Sequence, residues 1–167
     1  MKYEITNDTI DYEGITLFRI KKADTGELGG YIEGESNLSR FGQCWVGHKA
    51  VVFGDAQVSG DAQVHDYAVV YGHARIGDKA VIGGDAKVFG YAEVYDSATV
   101  TNDAEVYGNA KIYGHAQISG SSEIHGFTKV KDSKLTNCKI DARVVIQGDI
   151  HLDGIHVEHC TGHIESR

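Results

Sequence analysis

From Gly42 to Lys131 the chain repeats a six-residue pattern of polar and apolar positions, [Gly/Asp/Asn]-x-Ala-x-[Val/Ile]-x, fifteen times in one unbroken register. Position five is Val or Ile in every unit, from Val46 to Val130, and position three is Ala in twelve, with Cys44, Ser122 and Thr128 in the others. Residues two apart on an extended chain point the same way, so positions three and five form one apolar side and positions two, four and six the other. A strand with one apolar side must bend once per unit to enclose that side. The bend falls at position one, where Gly, Asp, Asn or His48 stands and where a left-handed backbone is tolerated.

Three such units close one coil of eighteen residues, and the outward positions test this period independently. Phe53, Tyr71, Phe89, Tyr107 and His125 recur every eighteen residues at position six. Tyr95 and Tyr113 form a shorter ladder on the next side, whereas the third series (His65, Gly83, Thr101, Ser119) has a single ring. The expectation is an all-β parallel β-helix, a hexapeptide-repeat solenoid of about six triangular coils, near 30 Å long at about 4.8 Å per strand.

Residues 1–41 read as an N-terminal β capping segment. Tyr3 to Thr6, Thr9 to Tyr12 and Ile15 to Lys21 are short strands, with turns at Asn7-Asp8 and Glu13-Gly14. A bare solenoid end exposes apolar rings and open edges, which such a segment covers. Residues 42–153 are the solenoid, interrupted at 133–136 by four extra residues expected to loop out of a corner. The inward pairs then resume as Cys138/Ile140, Val144/Ile146 and Ile150/Leu152, and residues 154–167 close the C-terminal end. Proline is absent, as suits a chain whose amides enter ladders.

These units resemble the left-handed β-helix class, whose pattern is aliphatic-Gly-x-x-small-x. Ile76-Gly77-Asp78-Lys79-Ala80-Val81 and Ile82-Gly83-Gly84-Asp85-Ala86-Lys87 match it; the left hand is implied by this resemblance alone. A closer likeness runs over nearly the whole chain. Gly26-Glu27-Leu28-Gly29-Gly30-Tyr31-Ile32, Asn37-Leu38-Ser39, Cys44-Trp45-Val46 and the repeated Val-x-Gly-Asp-Ala are similar to the YdcK-like β-solenoid family of bacterial and phage proteins. That resemblance implies a fold more than an activity.

Net charge is −8, which disfavours a nucleic-acid partner and raises the idea of a nucleic-acid mimic. The distribution weakens that idea, since acids exceed bases by three in residues 1–41, three in 42–131 and two in 132–167. Most solenoid acids also sit at corner positions one and two, where Asp serves the backbone. Three cysteines, one at the inward position of Cys44, suit reduced thiols better than disulfides. With no long apolar run and a polar start, the expected setting is cytoplasmic, with no membrane partner.

Many left-handed β-helix proteins are trimeric acyltransferases with a histidine base in an inter-subunit cleft. His73 and His115 are the candidates for that role here, though both occupy corner position two, where a solvent-facing histidine is the simpler reading. The three-histidine metal pattern of γ-class carbonic anhydrases is not found. His151, His156, His159, Cys160 and His163 crowd the C-terminal region as metal candidates, on compositional grounds only. Regular Thr-x-Thr ranks, which an ice-binding face would need, reduce to Thr99-Val100-Thr101.

The strongest surface signal is the ladder Phe53, Tyr71, Phe89, Tyr107, joined by Tyr95 and Tyr113. A homo-oligomer interface, with a trimer favoured, a protein partner and simple self-stacking compete for it, in that order. The expectation is therefore a non-catalytic binding protein without a cofactor. A phage or prophage setting, implied by the resemblance, would make it a host-directed inhibitor of defence. An acyltransferase-like enzyme and a structural rod of a phage particle are the alternatives.

Overall fold

The computed structural model describes residues 2–165, the side chains of residues 159 and 160 excepted. It is all-β apart from one short 3₁₀ turn at Glu35–Asn37. Each hexad contributes a short strand at positions four and five, and strands eighteen residues apart pair in parallel. Val51–Val52, Val69–Val70, Lys87–Val88 and Glu105–Val106 stack in this way on one face. A second face carries Gln57–Val58, Arg75–Ile76, Glu93–Val94 and Lys111–Tyr113, and a third runs from Trp45–Val46 to His151–Asp153.

The inward residues fill the lumen. Every Ala at position three and every Val or Ile at position five, from Val46 to Val130, is buried. Small Ala beside a branched neighbour fits the space between three converging faces. Where a hydroxyl points inward it bonds to backbone: Ser122 Oγ donates to the Ser119 carbonyl at 2.6 Å, and Thr128 Oγ1 to that of Ala142 at 3.2 Å. Cys44 and Cys138 are buried free thiols.

All fifteen position-one residues have positive φ, the non-glycines being His48, Asp66, Asp78, Asp96 and Asn102. Between the first and second faces this column is glycine throughout, Gly54, Gly72, Gly90, Gly108 and Gly126. A Cβ on Gly90 would lie 3.0 Å from the Gly108 amide nitrogen, so close stacking and left-handed backbone both select glycine there. Aspartates at other corners serve the coil next to them: Asp96 Oδ2 accepts the Gly114 amide at 2.9 Å.

The first coil begins before the first full hexad. Tyr31 and Ile32 pair in parallel with Val51 and Val52, which puts buried Gly30 in the inward place of Ala50. Leu38 bridges Val58, and the buried Asn37 amide donates to the carbonyls of Gly54 and Ala56. With this coil the third face has seven stacked strands, so the solenoid makes about seven turns rather than six.

Residues 133–136, expected to loop out, instead form a rung of the third face. Lys134–Thr136 pairs with Gln117–Ser119, Leu135 is fully buried and Ser133 points inward with its hydroxyl on the Gly148 carbonyl at 2.7 Å. Two consecutive units are five residues long, between the positive-φ corners Asp132 and Asn137 and on to Asp141. The chain shortens its perimeter here and inserts nothing. The resumed inward residues Cys138, Ile140, Val144 and Ile146 are buried, and Ile150 and Leu152 pack against the same core.

The N-terminal segment is a hairpin of Tyr3–Tyr12 and Ile15–Lys22, turning at Glu13 and Gly14. The two short strands expected before Tyr12 are one strand with a register shift between Ile5 and Thr9. Leu28–Ile32 pairs antiparallel with Ile15–Lys22 and parallel with Val51–Val52, and so joins the hairpin to the first face. Tyr3 and Ile20 enter the lumen core, and the Tyr3 hydroxyl donates to the Leu38 carbonyl at 2.8 Å. Among the described residues no helix is long and apolar enough to cross a membrane.

Candidate interaction edge

The outward rings of the first face stack on one another. Phe53 and Tyr71 have centroids 5.2 Å apart with planes 4° apart, Tyr71 and Phe89 4.8 Å and 7°, and Phe89 and Tyr107 4.7 Å and 5°. His125 ends the column 4.4 Å from Tyr107, its Nδ1 3.1 Å from Asp141. Parallel strands at their natural spacing place these rings in contact without any partner chain.

The hairpin covers the upper part of this column. Leu17 packs with Val51, Phe53 and Val69 into a second buried cluster that also takes in Ile10, Tyr12, Ile15, Tyr31 and Tyr71. The apolar area around Val51 and Val69 is thus covered within the chain. Below it, Lys87 pairs with Glu105 and Lys139 with Glu123, each at 3.0 Å, and these bonds raise both lysine pKa values. Burial in the stacks raises the phenol pKa of Tyr71, Tyr95 and Tyr107.

Around the corner from the ladder stands a second column that the sequence reading did not single out. Position six, position one and position two are consecutive residues, as in Phe89-Gly90-Tyr91 and His125-Gly126-Phe127. The glycine column therefore separates the stacked rings from His73, Tyr91, Asn109 and Phe127. Tyr91 is 61% exposed and Phe127 53%. His73 stacks on Tyr91 at 4.7 Å, and Arg143 lies over the Phe127 ring at 4.8 Å. The missed signal was the eighteen-residue spacing of Tyr91 and its neighbours at position two.

The catalytic candidates are placed on different corners. His73 Nδ1 lies 3.3 Å from Asp55 Oδ2, beside a groove of ≈ 360 Å³ that Arg75, Tyr91, Glu93, Asn109 and Lys111 also line. Lys111 and Glu93 pair across it at 2.7 Å. His115 is exposed, its backbone N–H donating to Asp132 Oδ1 at 2.7 Å. On the second face Tyr95 and Tyr113 stack at 5.2 Å, as a half-buried pair.

In the C-terminal strand His156–Glu165, His156 meets Glu158 at 2.8 Å and His163 meets Glu165 at 2.5 Å, each two residues along its own strand. The side chains of His159 and Cys160 lie outside the described residues, and His151 faces Asp149 at 3.9 Å. The group with metal-binding spacing among the described residues is elsewhere, at His48, His65 and Asp66, whose candidate ligand atoms all lie within 4.8 Å of one another. Neither known protein families nor curated proteins offer a match to this chain.

Proposed function

We propose that the protein is a non-catalytic binding scaffold, a homo-oligomer that docks through the glycine-lined edge and engages a protein partner. The observation that carries this reading is the pair of exposed rings, Tyr91 and Phe127, on one corner beside the stacked ladder. The ladder rings cover one another, whereas Tyr91 and Phe127, each in contact on one side with His73 or Arg143, keep more than half of their surface exposed. Aromatic side chains on a rigid frame make suitable interface anchors because little entropy is lost when they are buried. The bare glycines between the columns let a partner approach the backbone.

In a phage or prophage setting, an idea supported by the sequence resemblance alone, the partner would be a host defence protein. The oligomer is tested by light scattering of the wild type and of the double variant Tyr91→Asp/Phe127→Asp. A trimer that becomes monomeric with unchanged circular dichroism supports the proposal; a wild type monomeric at all concentrations rejects self-association. Pull-down from host lysate with the same two proteins then tests the partner, and recovery of the same proteins by both would reject the edge. The acyltransferase alternative rests on His73 beside Asp55 and predicts an acyl-transfer activity lost in His73→Asn.

A further inference from the structure

We propose that His48, His65 and Asp66 form a binding site for a divalent first-row transition-metal ion, of the zinc, cobalt or nickel kind. His48 and Asp66 are the position-one residues of the same corner on adjacent coils, eighteen residues apart, both with positive φ (53° and 60°). His65 is the last outward residue of the preceding rung and so reaches the same corner. Both δ-nitrogens converge on one carboxylate: His65 Nδ1 lies 2.8 Å from Asp66 Oδ2, and His48 Nδ1 3.4 Å from Asp66 Oδ1.

The surroundings hold these groups in place. His65 lies over Gly83, where a Cβ would stand 2.4 Å from the His65 Cε1, so that ring position exists only because residue 83 is glycine. Gly47 occupies the corresponding place one coil above. Asp66 Oδ2 accepts the Gly84 amide at 3.2 Å, which fixes the carboxylate at this corner. The Asp66 amide donates to His48 Nδ1 at 3.4 Å, a long bond that uses the single lone pair of that nitrogen and that a metal ion on Nδ1 would displace.

Two imidazoles and one carboxylate match borderline metals and not calcium or magnesium, which take oxygen ligands. A tetrahedral metal 2.0–2.2 Å from each ligand holds any two of them about 3.4 Å apart. Bringing the group from 4.8 Å to that spacing takes about 1.4 Å, within the swing of the exposed His48 ring. A cavity of ≈ 490 Å³ that both histidines line is also bounded by Leu28, Trp45, Gln63 and Val81. Water, or an oxygen of a small ligand, would complete the coordination sphere.

Cobalt(II) titration followed by visible absorption, with zinc(II) calorimetry on the full chain, tests the site. His48→Asn and Asp66→Asn keep residues that tolerate positive φ, and His65→Ser leaves the Gly83 contact open. The expected result is one cobalt per chain with d–d bands of a mixed nitrogen and oxygen sphere, and affinity at least about tenfold lower in each variant. Zinc should raise the melting temperature of the wild type and not of the variants. The double variant His156→Asn/His163→Asn should bind as the wild type does. No stoichiometric cobalt, binding unchanged in the three variants, or binding lost in the C-terminal double variant would each overturn the assignment.

Discussion

Replacing Phe89 with alanine removes the central ring of the column and separates internal packing from assembly. Phe89 touches Tyr71 at 4.8 Å and Tyr107 at 4.7 Å, with planes within 7° of parallel. An aromatic pair contributes about 0.5–1.5 kcal/mol beyond its buried area, so two neighbours give an expected loss of about 1–3 kcal/mol. Against a total stability of about 5–15 kcal/mol that is a large fraction. The assay is urea unfolding followed by circular dichroism at two widely separated protein concentrations. If the column is packed within one chain, the loss is the same at both. Adding Tyr107→Ala should give a coupling energy of at least about 0.5 kcal/mol in the double-mutant cycle. A loss under about 0.5 kcal/mol, the scale of an ordinary surface change, would refute the stacking argument. So would a loss that vanishes on dilution, because the ring would then be stabilised by another copy.

Gly90→Ala places a Cβ on a φ of +69°, 3.0 Å from the Gly108 amide, and should destabilise by about 1–2 kcal/mol or more; Asp96→Asn, at a φ of 59°, should be nearly neutral in the same thermal melts. Leu135→Ala should cost about 2–4 kcal/mol as a lumen residue, whereas a looped-out Leu135 would change stability by under about 0.5 kcal/mol. The Asp66 carboxyl has its pKa lowered in the folded state. Its contribution is therefore present above the ordinary value of about 3.9 and lost as pH falls through the lower folded value. Asp66→Ala should flatten the acid limb of the melting-temperature profile in that window, and an unchanged limb would contradict the bond to Gly84. Lys87→Ala should cost less than about 1 kcal/mol, since its pair with Glu105 is solvent-exposed; a larger loss by chemical denaturation would mean that the pair is covered by another chain.

The middle of the fold was legible because one rule governs it: Ala and Val two apart face the lumen, and eighteen residues bring the pattern back beneath itself. The ladder from Phe53 to Tyr107 followed from that arithmetic. The first coil was missed because Gly30 takes the place of Ala and Asn37 stands beside Leu38, so neither unit carries the repeat's composition. The segment 133–136 was misread because a deletion of one residue in each of two units breaks the register as an insertion would. Ser133 and Leu135 do form a small-x-aliphatic pair, and buried Ser122 and Thr128 already show that hydroxyls enter the lumen.

The surface was less legible, since it depends on neighbours around a corner as well as along a column. Tyr91 and Phe127 are recognised only when position two is read beside position six of the preceding unit. His48, His65 and Asp66 escaped notice for the same reason: two share a column, and the third arrives from the end of the previous strand. His-rich composition pointed instead to the C-terminal strand, where His156 and His163 each meet a carboxylate two residues along their own strand.

The uniform eighteen-residue register between Val51 and Val106 makes this stretch a molecular ruler. Copying one whole turn in frame, for instance between Gly90 and Gly108, would lengthen the prism by a single strand spacing, about 4.8 Å. Every side-chain file would gain one member and keep its direction, while the hairpin and the shortened turn beyond Asp132 would be carried apart unchanged. Length in such a molecule can thus be inherited by duplication, independently of what its two ends do.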